Sequence, residues 1–211
     1  SKGTGKWASQ IALDLHMPLS VVTEAVFVRY ISELKEERIQ ASKILNPPVD
    51  EGSFEYDVEA YVEKIRRSLY FSKIISYAQG FAQYSRANQT YGWSLDNYKI
   101  AKTFRAGCVI SAELLDKIAN AYQIDENLPN ILMDAYFSKV VNDYQTDARM
   151  VVADSIRKGI PVSGLASSIG YFDNYRLENM SANMVQAQRD FFGAHTFERI
   201  DEPGNFHYEW Q

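Results

Sequence analysis

The chain has 211 residues, 46% hydrophobic and 23% charged, with a net charge of −5 and a single cysteine, Cys108. That balance excludes general disorder, and one thiol excludes an internal disulfide framework or a thiolate-cage metal site, which fits a reducing compartment. The acidic charge argues against general affinity for nucleic acid or anionic lipid, and no run approaches the ~20 apolar residues of a membrane span. His16, His195 and His207 are too scattered for a helix-borne metal motif.

In chain order the predicted elements are helices almost throughout, so the fold class is all-α. The first runs from Thr4 to about Asp14, with Thr4 as its N-cap. The second starts near Pro18 and carries through Val22, Ala25, Val26 and Arg29 toward Lys43. Asn46-Pro47-Pro48 opens a break that lasts to Glu55. No proline interrupts between Asp57 and Tyr91, which predicts one very long helix. Its residues Val58, Tyr61, Val62, Ile65 and Leu69 share a face, and Ser72, Ser76 and Gly80 form a stripe on which another helix can approach closely. After Tyr91-Gly92-Trp93, the next helix carries Ile110, Leu114, Ile118 and Tyr122 and precedes a break from Asp125 to Pro129.

A second long helix is predicted from about Asn130 to Lys158, with the stripe Phe137, Val140, Val141, Tyr144, Ala148, Val151 and Val152. Gly159 and Pro161 end it. Val162 to Tyr175 and Ala182 to Phe192 are the last two helices. From Gly193 to Gln211 helical periodicity is lost, yet His195, Phe197, Phe206, His207, Tyr208 and Trp210 persist. Such a tail should pack, either on its own domain or on a neighbouring subunit. The expectation is a single all-helical domain over residues 1–211, with 193–211 an extended tail. The stripes at 72–80 and 137–152 predict a homodimer with an interface of roughly 2,000 Å² or more.

Three places could carry chemistry. Lys2-Gly3-Thr4-Gly5-Lys6-Trp7 fails as a P-loop, because an upstream glycine and strand are missing and Trp7 stands where a magnesium-binding Ser or Thr belongs. It reads either as a phosphate cradle at a helix start or as an ordinary capped helix with solvated lysines. Arg29 sits among Val26, Phe27, Val28 and Tyr30. A buried arginine there needs an anion, either an acid such as Glu24 or a ligand phosphate gripped bidentately. Arg189 lies on the last turn of a helix and His195 just past it. The ordinary reading of Arg189 is a charge that suits the helix dipole, and of His195 a structural hydrogen bond. Phe191, Phe192 and Phe197 read as packing, Cys108 as an inert thiol, and Tyr171, Tyr175, Arg176 and Glu178 as packing or interface.

Five segments in register resemble one family. They are Lys2-Gly3-Thr4-Gly5-Lys6-Trp7, Glu24 through Ser32, Leu69 through Phe81, Phe104-Arg105-Ala106-Gly107-Cys108, and Ala187 through Thr196. Together they look like the C-terminal domain of the decarboxylating 6-phosphogluconate dehydrogenases, over essentially the whole chain. The resemblance implies an all-helical half-enzyme with long antiparallel helices, a large homodimer interface and a tail reaching the other subunit's active site. It implies that Lys2, Thr4 and Arg29 bind the substrate phosphate, with Arg189 and His195 contributed by the partner's tail. Phosphate or sulfate would serve as a substitute ligand.

It further implies a cytoplasmic enzyme that oxidises 6-phosphogluconate with NADP and releases CO2 and ribulose 5-phosphate. The family's NADP-binding domain and its catalytic lysine and glutamate lie upstream of the Lys2 motif. The chain is therefore expected to be a C-terminal fragment, inactive alone, with no cofactor or metal bound. Two other readings stand beside this one. The first is a non-catalytic helical dimerisation or interaction module with a vestigial phosphate site. The second is a related 3-hydroxyacid dehydrogenase domain, against which the tail from Gly193 to Arg199 argues.

Overall fold

A computed structural model describes residues 3–49, 57–104 and 112–210. Helices dominate: α1 (Thr4–Asp14), α2 (Ser20–Glu33), α3 (Lys35–Ala41), α4 (Val58–Tyr91), α5 (Asn97–Phe104), α6 (Ala112–Ile124), α7 (Ala135–Arg157), α8 (Ser163–Tyr175) and α9 (Ala182–Gly193). A 3₁₀ turn covers Ile131–Met133, and two short strands, β1 (Phe197–Glu198) and β2 (Asn205–Phe206), pair antiparallel. The chain forms two compact units, one up to Phe172 and one from Asp173.

The first unit is built on α4, a single 34-residue helix as the uninterrupted sequence predicts. Asp57 caps it by accepting from the Glu59 N–H, and Gly92 closes it at φ 66°, where a side chain would be strained. α7 runs antiparallel to α4. Tyr61, Lys64 and Tyr70 of α4 meet Asp154, Asp147 and Tyr136 of α7, so one numbering rises as the other falls. Between them lie Phe71, Ile74, Ile75 and Ala78 from α4 and Phe137, Val141 and Ala148 from α7, joined by Leu114, Leu115 and Ile118 of α6. The Phe172 ring stands edge-on to Phe71 at 5.4 Å. Ser72 and Ser168 meet at 2.6 Å. The Ser168 hydroxyl donates to the Leu165 carbonyl, so Ser72 is the donor between them.

Several sequence expectations need correction. The second helix does not run on to Lys43. It breaks at Leu34, whose ψ of 48° leaves the helical region. There the Arg38 guanidinium donates to the Ser32 carbonyl, supplying a side-chain donor at the helix end. The second long helix starts at Ala135 rather than Asn130, because Asp134 is extended and its carboxylate caps Tyr136 and Phe137. Helix α5 was not anticipated, and Ile110 lies outside the described residues.

The stripe from Phe137 to Val152 is not spare dimer surface. Phe137, Val141 and Ala148 join the core against α4, with Val140 and Tyr144 packed at its edge. Conversely, Val58, Val62, Ile65 and Leu69 share a face of α4 that stays exposed. The periodicity found the face but not which side the core would take. A Cβ on Gly80 would meet nothing within 4 Å, so that end of the small-residue stripe is open.

Candidate functional site

The predicted site residues fall into two local settings. In the first unit, α1 and α2 cross closely because Gly5 has no side chain. A Cβ there would lie 2.9 Å from Val26 Cγ2. The Ser9 hydroxyl donates to the Gly5 carbonyl and accepts from Thr23 of α2 at 3.1 Å. Helix α4 holds both helices: Gln83 donates to the Ala8 carbonyl, and Gln79 reaches the start of α2. The position before α2 is Leu19, which has no side-chain acceptor to offer. The buried Gln79 amide replaces it, accepting from the Val21 N–H at 3.0 Å and donating to Ser20 Oγ at 2.9 Å. The sequence offered no local signal for this role, since Gln79 is 58 residues from Val21.

Between α1 and α2 lies a shallow cleft of about 290 Å³. Thr4, Gly5 and Lys6 line one wall and Val26, Arg29, Tyr30 and Glu33 the other. Thr4 and Arg29, proposed together from sequence, therefore share one cavity. Two details differ from expectation. Thr4 is the first helical residue rather than the N-cap, and Gly3 takes the cap position at φ 77° without a side-chain bond. Arg29 is exposed rather than buried, because α2 buries none of its residues and the apolar neighbours Phe27, Val28 and Tyr30 are themselves exposed. Among the described residues the Arg29 guanidinium has no ion-pair or hydrogen-bond partner, so of the two alternatives the pairing with an acid such as Glu24 is not made there. Lys2 lies outside the described residues.

The second setting is the end of α9 and the chain after it. Arg189 and His195 are both exposed, and the structure ties them into one local assembly. Arg189 donates to Gln186 Oε1 at 3.2 Å, and the other end of that amide donates to the Thr196 carbonyl. Ala194 and Thr196, on either side of His195, lie in the left-handed region at φ 49° and 62°. Such residues cost roughly 1–3 kcal/mol each and persist only where surrounding contacts determine them. Gly193 makes room for the turn, since a Cβ there would sit 2.8 Å from the His195 ring. The ring stands edge-on to Phe192 at 6.4 Å.

The determining contact is Asp190, which sequence reasoning passed over. Its carboxylate is fully buried and accepts four bonds. Oδ1 takes the Thr196 N–H and His207 Nδ1, both at 2.9 Å; Oδ2 takes the Tyr208 N–H at 3.1 Å and Trp210 Nε1 at 2.9 Å. Burial alone would raise its pKa, but these donors hold it well below the usual carboxylate range. A signal was available. An acid in the last turn of a helix opposes the dipole and needs donors, and His207 and Trp210 follow within reach.

Of the tail residues expected to pack, His207, Tyr208 and Trp210 gather at Asp190, Trp210 also meeting Phe191 edge-on at 6.0 Å, while Phe197 and Phe206 pair across the hairpin. Among the described residues no group of three His, Cys, Asp or Glu could hold a metal ion. No described helix is long and apolar enough to cross a membrane.

Residues 1–210 match the family described as 6-phosphogluconate dehydrogenase, C-terminal domain. The chain is 51% identical over 209 residues to the decarboxylating 6-phosphogluconate dehydrogenase of Buchnera aphidicola, covering 99% of this chain and 44% of that protein. It is 50% identical over 210 residues to the Escherichia coli enzyme, covering 100% and 44%. The solved structure of Plasmodium falciparum 6-phosphogluconate dehydrogenase superposes with a TM-score of 0.94 at 35% identity, over 100% of this chain and 45% of that one. That enzyme was determined in its apo form, with its cofactor NADP+ and with its substrate 6-phosphogluconate. The chain therefore spans less than half the length of these relatives.

Proposed function

The chain belongs to the 6-phosphogluconate dehydrogenase C-terminal domain family, and from that premise we propose that it supplies substrate-phosphate binding and the dimer interface of such an enzyme. The whole enzyme would convert 6-phosphogluconate to ribulose 5-phosphate and CO2 in the cytoplasm. NADP+ would supply the hydride acceptor for oxidation at C3, after which the keto acid loses CO2. The described residues do not fit that cofactor. Their strands are the two-residue pair Phe197–Glu198 and Asn205–Phe206, with no strand, glycine-rich turn and helix to cradle a pyrophosphate. The NADP+ site and the proton-transferring residues are assigned to the part of the relatives that this chain does not span, so the chain alone should be inactive.

The observation that carries the phosphate reading is Arg29. It is a guanidinium without an intramolecular partner among the described residues, on the wall of the cleft whose opposite wall is the first turn of α1. A guanidinium fork and free helix-start amides both suit phosphate oxygens. Lys2 and Thr4 would act with Arg29, while Arg189 and His195 would come from a second copy's tail. The exposed apolar face of α4, with Val62 and Leu69, supports a homodimer.

Phosphate or sulfate titration followed by NMR tests the site. Arg29→Met and Arg189→Met should each weaken the response, and an unchanged response in both would overturn the reading. Light scattering should show a dimer that Val62→Glu with Leu69→Glu weakens, and a monomer at micromolar concentration would defeat the interface. NADPH formation from 6-phosphogluconate by the purified chain would refute its inactivity.

A further inference from the structure

We propose that Asp190 is the positioning residue of the tail: one buried carboxylate that holds the turn from Gly193 to Thr196 and so fixes where His195 stands. The inference rests on the proposed role of Arg189 and His195, but its geometric core is independent of that role. An ionised carboxylate has about four acceptor positions, and here all four are filled by groups from two places in the tail. One donor, the Thr196 N–H, is the residue directly after His195. The other three come from residues 207–210, which return to the end of α9 after the β1–β2 hairpin.

The carboxylate therefore ties the last segment of the chain to the turn that carries the histidine. Gln186 supplies the second tether, its amide running from Arg189 to the Thr196 carbonyl. Both the N–H and the C=O of Thr196 are thus held, one by Asp190 and one by Gln186. Gly193 lets the His195 ring approach the helix end more closely than any Cβ would permit. Asp190 itself is fully buried and is not offered as a group that touches substrate. Its contribution is pre-organisation, sparing a ligand the cost of ordering the turn.

The test uses the 211-residue chain and inorganic phosphate. The His195 ring resonances, the Thr196 amide and the Trp210 indole N–H are followed by NMR in the unaltered protein, in Asp190→Asn and in Trp210→Phe. Asn keeps the size of the side chain but turns an N–H2 toward donors. Phe removes one donor and leaves the carboxylate. Asp190→Asn should raise Thr196 amide exchange about tenfold or more, equivalent to ~1.4 kcal/mol, move the His195 resonances, and leave the α4 and α7 amides unchanged. Trp210→Phe should leave Thr196 and His195 close to their original signals.

Unchanged His195 and Thr196 signals in Asp190→Asn would overturn the proposal. So would an equal disturbance in Trp210→Phe, since general tail packing would then explain both. Phosphate separates the two levels. A response at His195 that needs about tenfold more phosphate in Asp190→Asn supports the positioning role in binding. A protein that shows the geometric changes but no phosphate response at His195 supports the role of Asp190 in the turn and defeats the substrate reading of the tail.

Discussion

Gly5 of α1 and Val26 of α2 are in contact that no side chain could share: a Cβ on Gly5 would come within 2.9 Å of Val26 Cγ2. This approach sets the width of the cleft that Thr4 and Arg29 line. Gly5→Val should cost about 1–3 kcal/mol by forcing the helices apart. Gly5→Ala should come out nearer neutral, because up to ~1 kcal/mol of helix propensity offsets the clash. Thermal denaturation of both variants checks the order. Equal stability of the valine variant and the parent would show that the helices separate freely.

Gln79 provides the cap that α2 lacks. Replacing it by leucine leaves the Val21 N–H and the Ser20 hydroxyl without that amide at a half-buried helix start, which should destabilise by about 1–3 kcal/mol. The loss should be local before it is global. Amide exchange of Val21 should quicken more than that of core positions such as Ile118. Uniform quickening across both would argue against a capping role.

Phe71 sits at the centre of the first unit with no exposure, against Phe172. Phe71→Ala should cost about 3–5 kcal/mol through the cavity it leaves. Chemical denaturation would measure it, and a loss below ~1 kcal/mol would mean that the surrounding helices collapse into the space.

The tail should show its own acid sensitivity. Asp190 has a folded pKa below its unfolded value, so its contribution is fully present above the ordinary carboxylate range and is lost as pH falls through the folded value. On protonation the carboxyl gains an O–H among groups that are all donors, His207 included. The Trp210 indole N–H resonance should therefore hold its position down to about pH 4 and move only below it. A midpoint at or above that pH would contradict the depressed pKa.

Gly193→Ala should displace His195 while leaving α9 intact. The added methyl would occupy space 2.8 Å from the ring, whereas the helix itself gains a better former. The His195 ring resonances report the displacement, and helical content by circular dichroism should be unchanged or slightly higher. An unmoved histidine would show that the ring does not depend on the glycine.

Helix type and most boundaries were legible in the sequence because they depend on neighbours along the chain. The absence of proline between Asp57 and Tyr91, the Asp57 cap and the glycine at 92 act within a few residues, and α4 has those bounds. The motif at residues 2–7, Arg29, Arg189 and His195 were also marked as candidates from local pattern and resemblance. Only the tertiary structure decided which apolar stripe became core. Periodicity identifies a face, but packing chose the α7 stripe for the interior and left Val58, Val62, Ile65 and Leu69 outside. The same holds for Arg29, whose apolar neighbours suggested burial that α2 does not provide. Gln79 was invisible for a related reason, and Asp190 showed only as an acid in the last turn of a helix, without its partners. Each works by hydrogen bonds to groups tens of residues or a whole turn-and-hairpin away, and the pairing of distant donors with one acceptor exists only once the chain has folded.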